Sequence, residues 1–329
     1  MIPKFPGKSL FAGLIAALLA AGAAQAQPPA DAVQKTPKAE DLTVVLDWFV
    51  NPDHAALIVA KQKGFFKDAG LAVKLVAPAD PNDPPKLVAA KQADIAVTYQ
   101  PQLHLLADAG LPIVRVGSLI DAPLNSLVVL KAGPVRTIAD LKGKKIGYSL
   151  SGFEDALLSS MLKSGGLALS DVTLVNVNFS LTPALLSRQV DAVIGAFRNF
   201  ELNQMDIEGR PGRAFYPEEN GVPPYDELIL VTHQQRLGDR RIRRFLEAVE
   251  RASLYIANHR RDAWTAFVSY DKALDTEINR RAWRDTLPRF ALSPSALDRA
   301  RYARFADYLV KAGLIGREIP IDRYVVPLN

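Results

Sequence analysis

Cysteine does not occur among the 329 residues of the chain. Its absence excludes disulfide bonds, thiolate metal sites and cysteine nucleophiles. Histidine is also scarce, and the four histidines are scattered at positions 54, 104, 233 and 259, without the local spacing of a metal site. Neither an H-E-x-x-H motif nor a Ser-His-Asp signature is recognisable. The sequence therefore offers no motif for a hydrolase or a metalloenzyme, and we expect no metal and no cofactor.

Long apolar runs are lacking too, except near the N-terminus. Two lysines precede an apolar run over 10–21 and small residues that end in Ala-Gln-Ala at 24–26, which is the layout of a secretory signal peptide. The run is too short to span a bilayer comfortably. We expect a signal peptide over 1–26, cleaved after Ala26, and a soluble periplasmic protein. A disordered leader is predicted over 27–41, because this segment is rich in proline, alanine and lysine.

A strong charge imbalance is missing as well. The formal net charge is +5 over the whole chain, and no motif for RNA or DNA binding accompanies this mild excess. A nucleic acid partner is therefore not expected. The arginines of the segment 240–251 largely avoid its apolar positions, so we interpret them as the solvated face of an amphipathic helix.

From residue 42 onward, short apolar runs alternate with helical segments, which is typical of a mostly parallel sheet in an α/β protein. We predict two α/β lobes. The first takes 42–132 and 223–329, and the second takes 133–222. The chain then crosses between the lobes twice, near 130–134 and near 222–225. Paired connections of this kind form a hinge that lets two lobes close over a ligand.

Two predicted strands end in segments that combine aromatic and amide side chains. The segment 46–54 reads LDWFVNPDH, in which an aromatic residue and an Asn-Pro turn follow a buried strand and precede a helix. The strand predicted at 94–98 ends in the same way. In open α/β sheets, ligands bind outside the carboxyl ends of strands and beside helix N-termini, so we predict that both segments contact a ligand. Their candidate residues are Trp48, Asn51, His54, Tyr99 and Gln100. Trp48 could instead belong to the core, and Asn51 could only shape its turn.

Four motifs carry a resemblance to a known family. They are the Asp-Trp, Asn-Pro and His positions of 47–54, Gly-Phe-Phe at 64–66 with Gly-Leu at 70–71, Asp-Ile-Ala-Val at 94–97, and DLKGKKIGY at 140–148. Over about 42–258 the chain resembles the type II periplasmic binding proteins of the NMT1/THI5-like group, which also contains sulfonate, taurine and nitrate binders. The resemblance implies two α/β lobes joined by a two-crossover hinge. It also implies a monomeric, non-enzymatic binding component of an ABC importer, with a permease and an ATPase as partners.

The segment 47–54 resembles the branch that handles thiamin pyrimidine precursors, hydroxymethylpyrimidine or its formylamino relative. An aminopyrimidine ring needs stacking faces, which Trp48 and Tyr99 could supply, and a carboxylate that accepts from its amino group. Three acids are candidates for that carboxylate, namely Glu154, Glu201 and Glu227. The first two could instead simply begin helices. The remaining candidate ligand contacts are Ser151, Phe153, Asn199 and Tyr225.

Two other functions are compatible with parts of the sequence. The segment 149–154 resembles an anion cradle at a helix start, and Arg198 could bind a sulfonate, taurine or nitrate, although we favour an internal ion pair for this arginine. The fungal arm of the family is a pyridoxal-phosphate-dependent hydroxymethylpyrimidine synthase. At the position of its cofactor lysine this chain has Thr98 or Tyr99, and a cysteine-rich cluster has no counterpart. The resemblance to the synthase therefore lacks the Schiff-base chemistry.

Overall fold

The computed structural model describes residues 38–316 and 319–328. The predicted signal peptide over 1–26 lies outside the described residues, as does most of the predicted leader. The described chain forms two five-stranded sheets. The strands are β1 (Glu40–Val45), β2 (Leu71–Val76), β3 (Ile95–Thr98), β4 (Ile113–Ile120), β5 (Asn125–Leu130), β6 (Lys145–Tyr148), β7 (Thr173–Asn176), β8 (Ala192–Phe197), β9 (Gly212–Phe215) and β10 (Leu228–His233). The α-helices are α1 (Ala55–Gln62), α2 (Phe65–Asp68), α3 (Pro84–Ala89), α4 (Gln100–Asp108), α5 (Phe153–Ser164), α6 (Leu181–Leu186), α7 (Glu201–Ile207), α8 (Arg240–Asn258), α9 (Arg260–Ser269), α10 (Glu277–Thr286) and α11 (Arg299–Lys311).

The first sheet has the strand order β2-β1-β3-β10-β4. Strand β1 is parallel to β2 and β3, whereas β10 is antiparallel to β3 and β4. Every residue of β3 and β10 is buried. Because helices cover both faces of such central strands, they contain continuous apolar runs instead of alternating ones.

The second sheet has the order β7-β6-β8-β5-β9. Strand β6 is parallel to β7 and β8, and β5 is antiparallel to β8 and β9. The chain crosses between the sheets over 121–124 and again over 216–227. Our prediction that the strand at 126–130 belongs to the first lobe, with a crossover near 130–134, was wrong. A strand that is buried along almost its whole length fits either sheet, and the choice is made by pairing with β8 and β9, which are distant in sequence.

Helices α8 to α11 return to the first lobe after β10. Helix α8 packs on α1 and α2, where the rings of Phe66 and Phe245 stack at 5.2 Å. Its predicted amphipathic pattern is confirmed, since Val249 is buried while Arg240 and Arg243 are exposed. Helix α10 contacts both the first lobe and α7 of the second lobe. Within the described ranges, no helix has the length and apolar character needed to cross a membrane.

Candidate functional site

The carboxyl ends of four strands meet at a cavity between the two sheets. Asp47 follows β1, Tyr99 follows β3, Leu150 follows β6 and Phe197 ends β8. The cavity is narrow, because the space open to the centres of water-sized molecules is only about 30 Å³, which is enough for ordered water. Its lining residues are Asp47, Trp48, Asn51, Asp53, Tyr99, Asn125, Leu150, Phe153, Glu154, Leu181, Gly195, Phe197, Phe200 and Glu201.

The turn after β1 brings Trp48, Asn51 and Asp53 to the cavity. The side-chain oxygen of Asn51 accepts from the backbone N–H of Asp53 at 2.8 Å and so caps a short 3₁₀ helix, Pro52–His54. Capping by asparagine and proline at the first helical position both favour this local structure. Asn51 therefore shapes its turn and also lines the cavity, and its contact with a ligand stays a prediction.

Asp47 is held by two buried partners. Its Oδ1 lies 2.8 Å from Nε2 of His54, and its Oδ2 accepts from the hydroxyl of Tyr99 at 2.7 Å. Burial beside this carboxylate raises the pKa of Tyr99 well above its ordinary value, so the phenol remains a neutral donor. His54 is fully buried and does not line the cavity. Its role is to position Asp47, which our sequence reasoning did not select although it lies in the same motif.

Aromatic rings from both lobes line the cavity. The ring of Tyr99 stacks on Phe153 of the second lobe at 5.1 Å and 17°, and it meets Phe197 edge-on at 6.4 Å. Trp48 contacts Phe179 across the lobes at 4.5 Å. Aromatic rings can pack on a planar ligand, but Tyr99 and Phe153 each already cover one face of the other, and Phe179 is not among the lining residues. Phe179, Phe197 and Phe200 were not selected from the sequence, because only the folded chain brings them opposite the first lobe.

Glu154 and Glu201 line the cavity from the second lobe, and each begins a helix. Oε2 of Glu154 accepts from the backbone N–H of Ser149 at 2.7 Å, and Oε2 of Glu201 accepts from that of Phe197 at 2.6 Å. Burial raises the pKa of each glutamate to about 8. At neutral pH both carboxyl groups are therefore mostly protonated, and each can donate as well as accept.

Asp53 is a further carboxyl group of the cavity that the sequence did not reveal. Its Oδ1 accepts from Nδ2 of Asn199 at 2.6 Å and lies 3.0 Å from the hydroxyl of Thr286 at the end of α10. Burial raises the pKa of Asp53 to about 6. An aspartate in the first turn of a helix is common, so its position in the sequence gave no functional signal. Asn199, a predicted contact, holds Asp53 and does not itself line the cavity.

Glu227 and Tyr225, both predicted ligand contacts, lie in the second crossover and not at the cavity. Oε2 of Glu227 accepts from the backbone N–H of Leu124 at 2.5 Å and of Asn125 at 2.8 Å. Leu124 is the last residue of the first crossover and Asn125 the first residue of β5, so the carboxyl group joins the two connections of the hinge. Burial raises the pKa of Glu227 to about 7. The ring of Tyr225 packs on Phe305 at 5.5 Å.

The other predicted residues also have structural partners. Gln100 is buried, and its side-chain oxygen accepts from the backbone N–H of Asp226 at 2.8 Å. Ser151 is exposed, and its N–H donates to Oδ1 of Asn82 in the first lobe at 3.2 Å. Neither residue lines the cavity.

Arg198 forms the internal ion pair that the sequence favoured. Its guanidinium group donates to both carboxylate oxygens of Glu218, at 2.5 and 3.0 Å, and to the carbonyl of Asn125 at 3.0 Å. The ring of Tyr216 lies 4.1 Å from the guanidinium carbon. Among the described residues that line the cavity there is no arginine, lysine or histidine. Its walls therefore carry several acids and no cation.

Sequence comparisons identify several relatives. The sequence model of the family described as NMT1/THI5 like matches residues 51–263. A Haemophilus influenzae protein named for thiamine biosynthesis is 55% identical over 291 residues, which cover 88% of this chain and 93% of that protein. The formylaminopyrimidine-binding protein of Halalkalibacterium halodurans is 35% identical over 195 residues, 59% of each chain. More distant relatives, 26% and 23% identical, are named 4-amino-5-hydroxymethyl-2-methylpyrimidine phosphate synthases.

The fold is shared with solved binding proteins. The alkanesulfonate-binding protein SsuA of Xanthomonas axonopodis pv. citri has a TM-score of 0.70 and 16% sequence identity, and the match covers 87% of this chain and 98% of that one. At this identity the likeness shows the fold alone. The predicted fold class, two α/β lobes of the type II periplasmic binding protein kind, is confirmed.

Proposed function

The chain belongs to the NMT1/THI5-like family, and from this premise we propose that it is the substrate-binding component of an ABC importer for a thiamin pyrimidine precursor. The ligand class is hydroxymethylpyrimidine or formylaminopyrimidine, bound by closure of the two lobes. The 35% identical formylaminopyrimidine-binding protein supports this assignment. The predicted signal peptide over 1–26 supports a periplasmic location.

The observation that carries the proposal is a cavity that combines aromatic faces with buried carboxyl groups. Trp48 and Phe153 face it from opposite lobes, and stacking on such rings adds roughly 0.5–1.5 kcal/mol beyond burial. Glu154 and Glu201, mostly protonated at neutral pH, can each donate to a ring nitrogen and accept from an amino group. An aminopyrimidine presents these two groups side by side on a flat ring.

An organic anion fits this cavity poorly. The described lining residues offer no cation, and Arg198 already pairs with Glu218. Transfer of an anion out of water into a site lined by acids has a large desolvation cost with no compensating ion pair. The sulfonate, taurine and nitrate alternatives therefore have no observation in their favour.

Some relatives are named synthases, so an enzyme is the alternative to a binding protein. A pyridoxal-dependent reaction needs a lysine for the Schiff base, and no lysine is among the described residues that line the cavity. At the position considered for it, Thr98 is fully buried and its hydroxyl bonds the side chain of Gln102. These contacts favour a binding protein without turnover.

Calorimetric titration of the protein without its first 26 residues tests the proposal. We expect heat of binding with hydroxymethylpyrimidine or formylaminopyrimidine and none with taurine, an alkanesulfonate or nitrate. Absence of heat with both pyrimidines would reject the ligand class. A visible absorbance band after incubation with pyridoxal phosphate, lost on changing a lysine, would instead support the synthase.

A further inference from the structure

Two polar atoms of the cavity wall lack a partner within the described part of the chain. They are Oδ2 of Asp53 and Nδ2 of Asn125, and both residues are at least 99% buried. Buried polar atoms in folded proteins are nearly always hydrogen-bonded, because leaving one unpaired costs about 1–3 kcal/mol. An unpaired acceptor from the first lobe and an unpaired donor from the second lobe, both on residues that line the cavity, are therefore groups that a ligand can complete.

We infer that Asp53 and Asn125 determine the ligand's substitution pattern, with Asp53 accepting from an amino group and Asn125 donating to a ring nitrogen. This inference rests on the proposed function and sharpens it. It states that the site binds an aminopyrimidine more tightly than the corresponding pyrimidinone, in which a carbonyl oxygen replaces the amino group. Sequence reasoning selected neither residue.

The contacts of each side chain fix which atom faces the ligand. Oδ1 of Asp53 is occupied by Asn199 at 2.6 Å and Thr286 at 3.0 Å, which leaves Oδ2 for the cavity. Oδ1 of Asn125 accepts from the backbone N–H of Gly195 at 3.1 Å, so its amide cannot flip without losing this bond, and Nδ2 is the atom that remains. Each of these two lining residues therefore keeps one polar atom without a partner, an acceptor on Asp53 and a donor on Asn125.

The other acids of the cavity are less suited to accept from an amino group. Both carboxylate oxygens of Asp47 are engaged, by His54 and by Tyr99. Glu154 and Glu201 have pKa values raised to about 8 and are mostly protonated at neutral pH. The pKa of Asp53 is raised only to about 6, so at neutral pH its free oxygen belongs to a carboxylate, which is the stronger acceptor.

The same two residues also connect the ligand to closure of the lobes. Asp53 belongs to the first lobe and its partner Asn199 to the second, so one carboxylate faces the ligand with one oxygen and bonds the opposite lobe with the other. The backbone N–H of Asn125 donates to Glu227, which joins the two crossovers. Both specificity residues are thus held in place by contacts between the two lobes or between the two crossovers.

The substitution Asp53→Asn tests the inference. It can keep the oxygen that bonds Asn199 while it replaces the cavity-facing acceptor with a donor. We would measure calorimetric affinities for 4-amino-5-hydroxymethyl-2-methylpyrimidine and for its 4-oxo counterpart, 5-hydroxymethyl-2-methylpyrimidin-4-one. The wild type should prefer the amino ligand by at least about tenfold, and the variant should lose at least about tenfold of that preference or reverse it, since a hydrogen bond to a charged group is worth this much.

Asp285→Asn is the matched control. Asp285 is exposed and bonds Asn203 of the second lobe at 2.7 Å, away from the cavity. Its loss should change both affinities alike, because it affects closure and not recognition. An unchanged preference in Asp53→Asn, with the wild type binding the amino ligand, would overturn the inference while the proposed function stands. If the wild type binds neither pyrimidine, the proposed function itself fails.

Discussion

Single residues set the shape of the cavity, and at Gly195 the contacts leave no space for a side chain. Gly195 has a φ of +94°, and a Cβ added there would lie 2.2 Å from Oε1 of Glu154. Glu154 cannot easily move away, because its other oxygen accepts from the backbone N–H groups of Ser149 and Leu150. The absent side chain at position 195 is therefore what lets the carboxyl group of Glu154 lie against the backbone of β8 at the cavity.

Replacement of this glycine should disturb both stability and binding. We expect Gly195→Ala to lower the free energy of unfolding by about 1–3 kcal/mol, because alanine is strained at this φ and overlaps Glu154, and to weaken pyrimidine binding. Denaturant unfolding and calorimetry measure the two effects. Gly238→Ala is the control, since an added Cβ there meets nothing within 4 Å and should change stability by less than about 0.5 kcal/mol. Equal behaviour of the two variants would contradict this account of Gly195.

Among single residues, the sequence predicted those that follow strand ends. It missed those whose position in the site is defined by contacts with residues distant in sequence. Trp48, Asn51 and Tyr99 could be found because the carboxyl end of a strand is readable from a local pattern. Asp53 and Asn125 could not, because their unpaired atoms are defined by partners distant in sequence. Glu154 and Glu201 were open to two interpretations: both lie in the first turn of a helix and line the cavity, and their contact with a ligand stays a prediction.

Among the elements, the two crossovers form the hinge, and one side chain joins them. The carboxyl group of Glu227 satisfies the buried N–H groups of Leu124 and Asn125. The sequence presented this glutamate as a ligand contact because it begins a strand at the predicted cleft. Which sheet β5 enters was equally hidden, since pairing between distant strands is not encoded in a local apolar run.

We expect Glu227→Ala to lower the free energy of unfolding by about 1–3 kcal/mol, since it leaves buried N–H groups unpaired. Glu227→Gln keeps an acceptor and should restore most of the loss. Glu219→Ala serves as a neutral control, because this glutamate is exposed in the same crossover. Denaturant titration of the three variants gives the comparison, and an unaltered midpoint and slope for Glu227→Ala would argue against a structural role of this carboxyl group in the hinge.

At the scale of the whole molecule, the fold gathers acids that are far apart in the sequence into one buried region. The pKa values of Glu154 and Glu201 rise from 4.5 to about 8, chiefly through burial. The folded state therefore holds protons that the unfolded state releases between these two pH values. The resulting stability is fully present below pH 4.5 and is lost as the pH rises toward about 8. A pKa that differs by one between the folded and unfolded states changes the free energy of unfolding by about 1.4 kcal/mol.

The double substitution Glu154→Gln with Glu201→Gln should remove this pH dependence, because glutamine resembles the protonated acid and cannot ionise. We expect the ligand-free variant to match the wild type near pH 4, below the unfolded pKa of 4.5, and to exceed its unfolding free energy near pH 8.5. Subtraction of the two pH profiles is needed, because His104, whose pKa burial lowers to about 3, contributes a slope of opposite sign between about pH 3 and 6.5 in both proteins. A constant difference between the profiles from pH 4 to 8.5 would mean that the folded state does not bury these two acids in their protonated form.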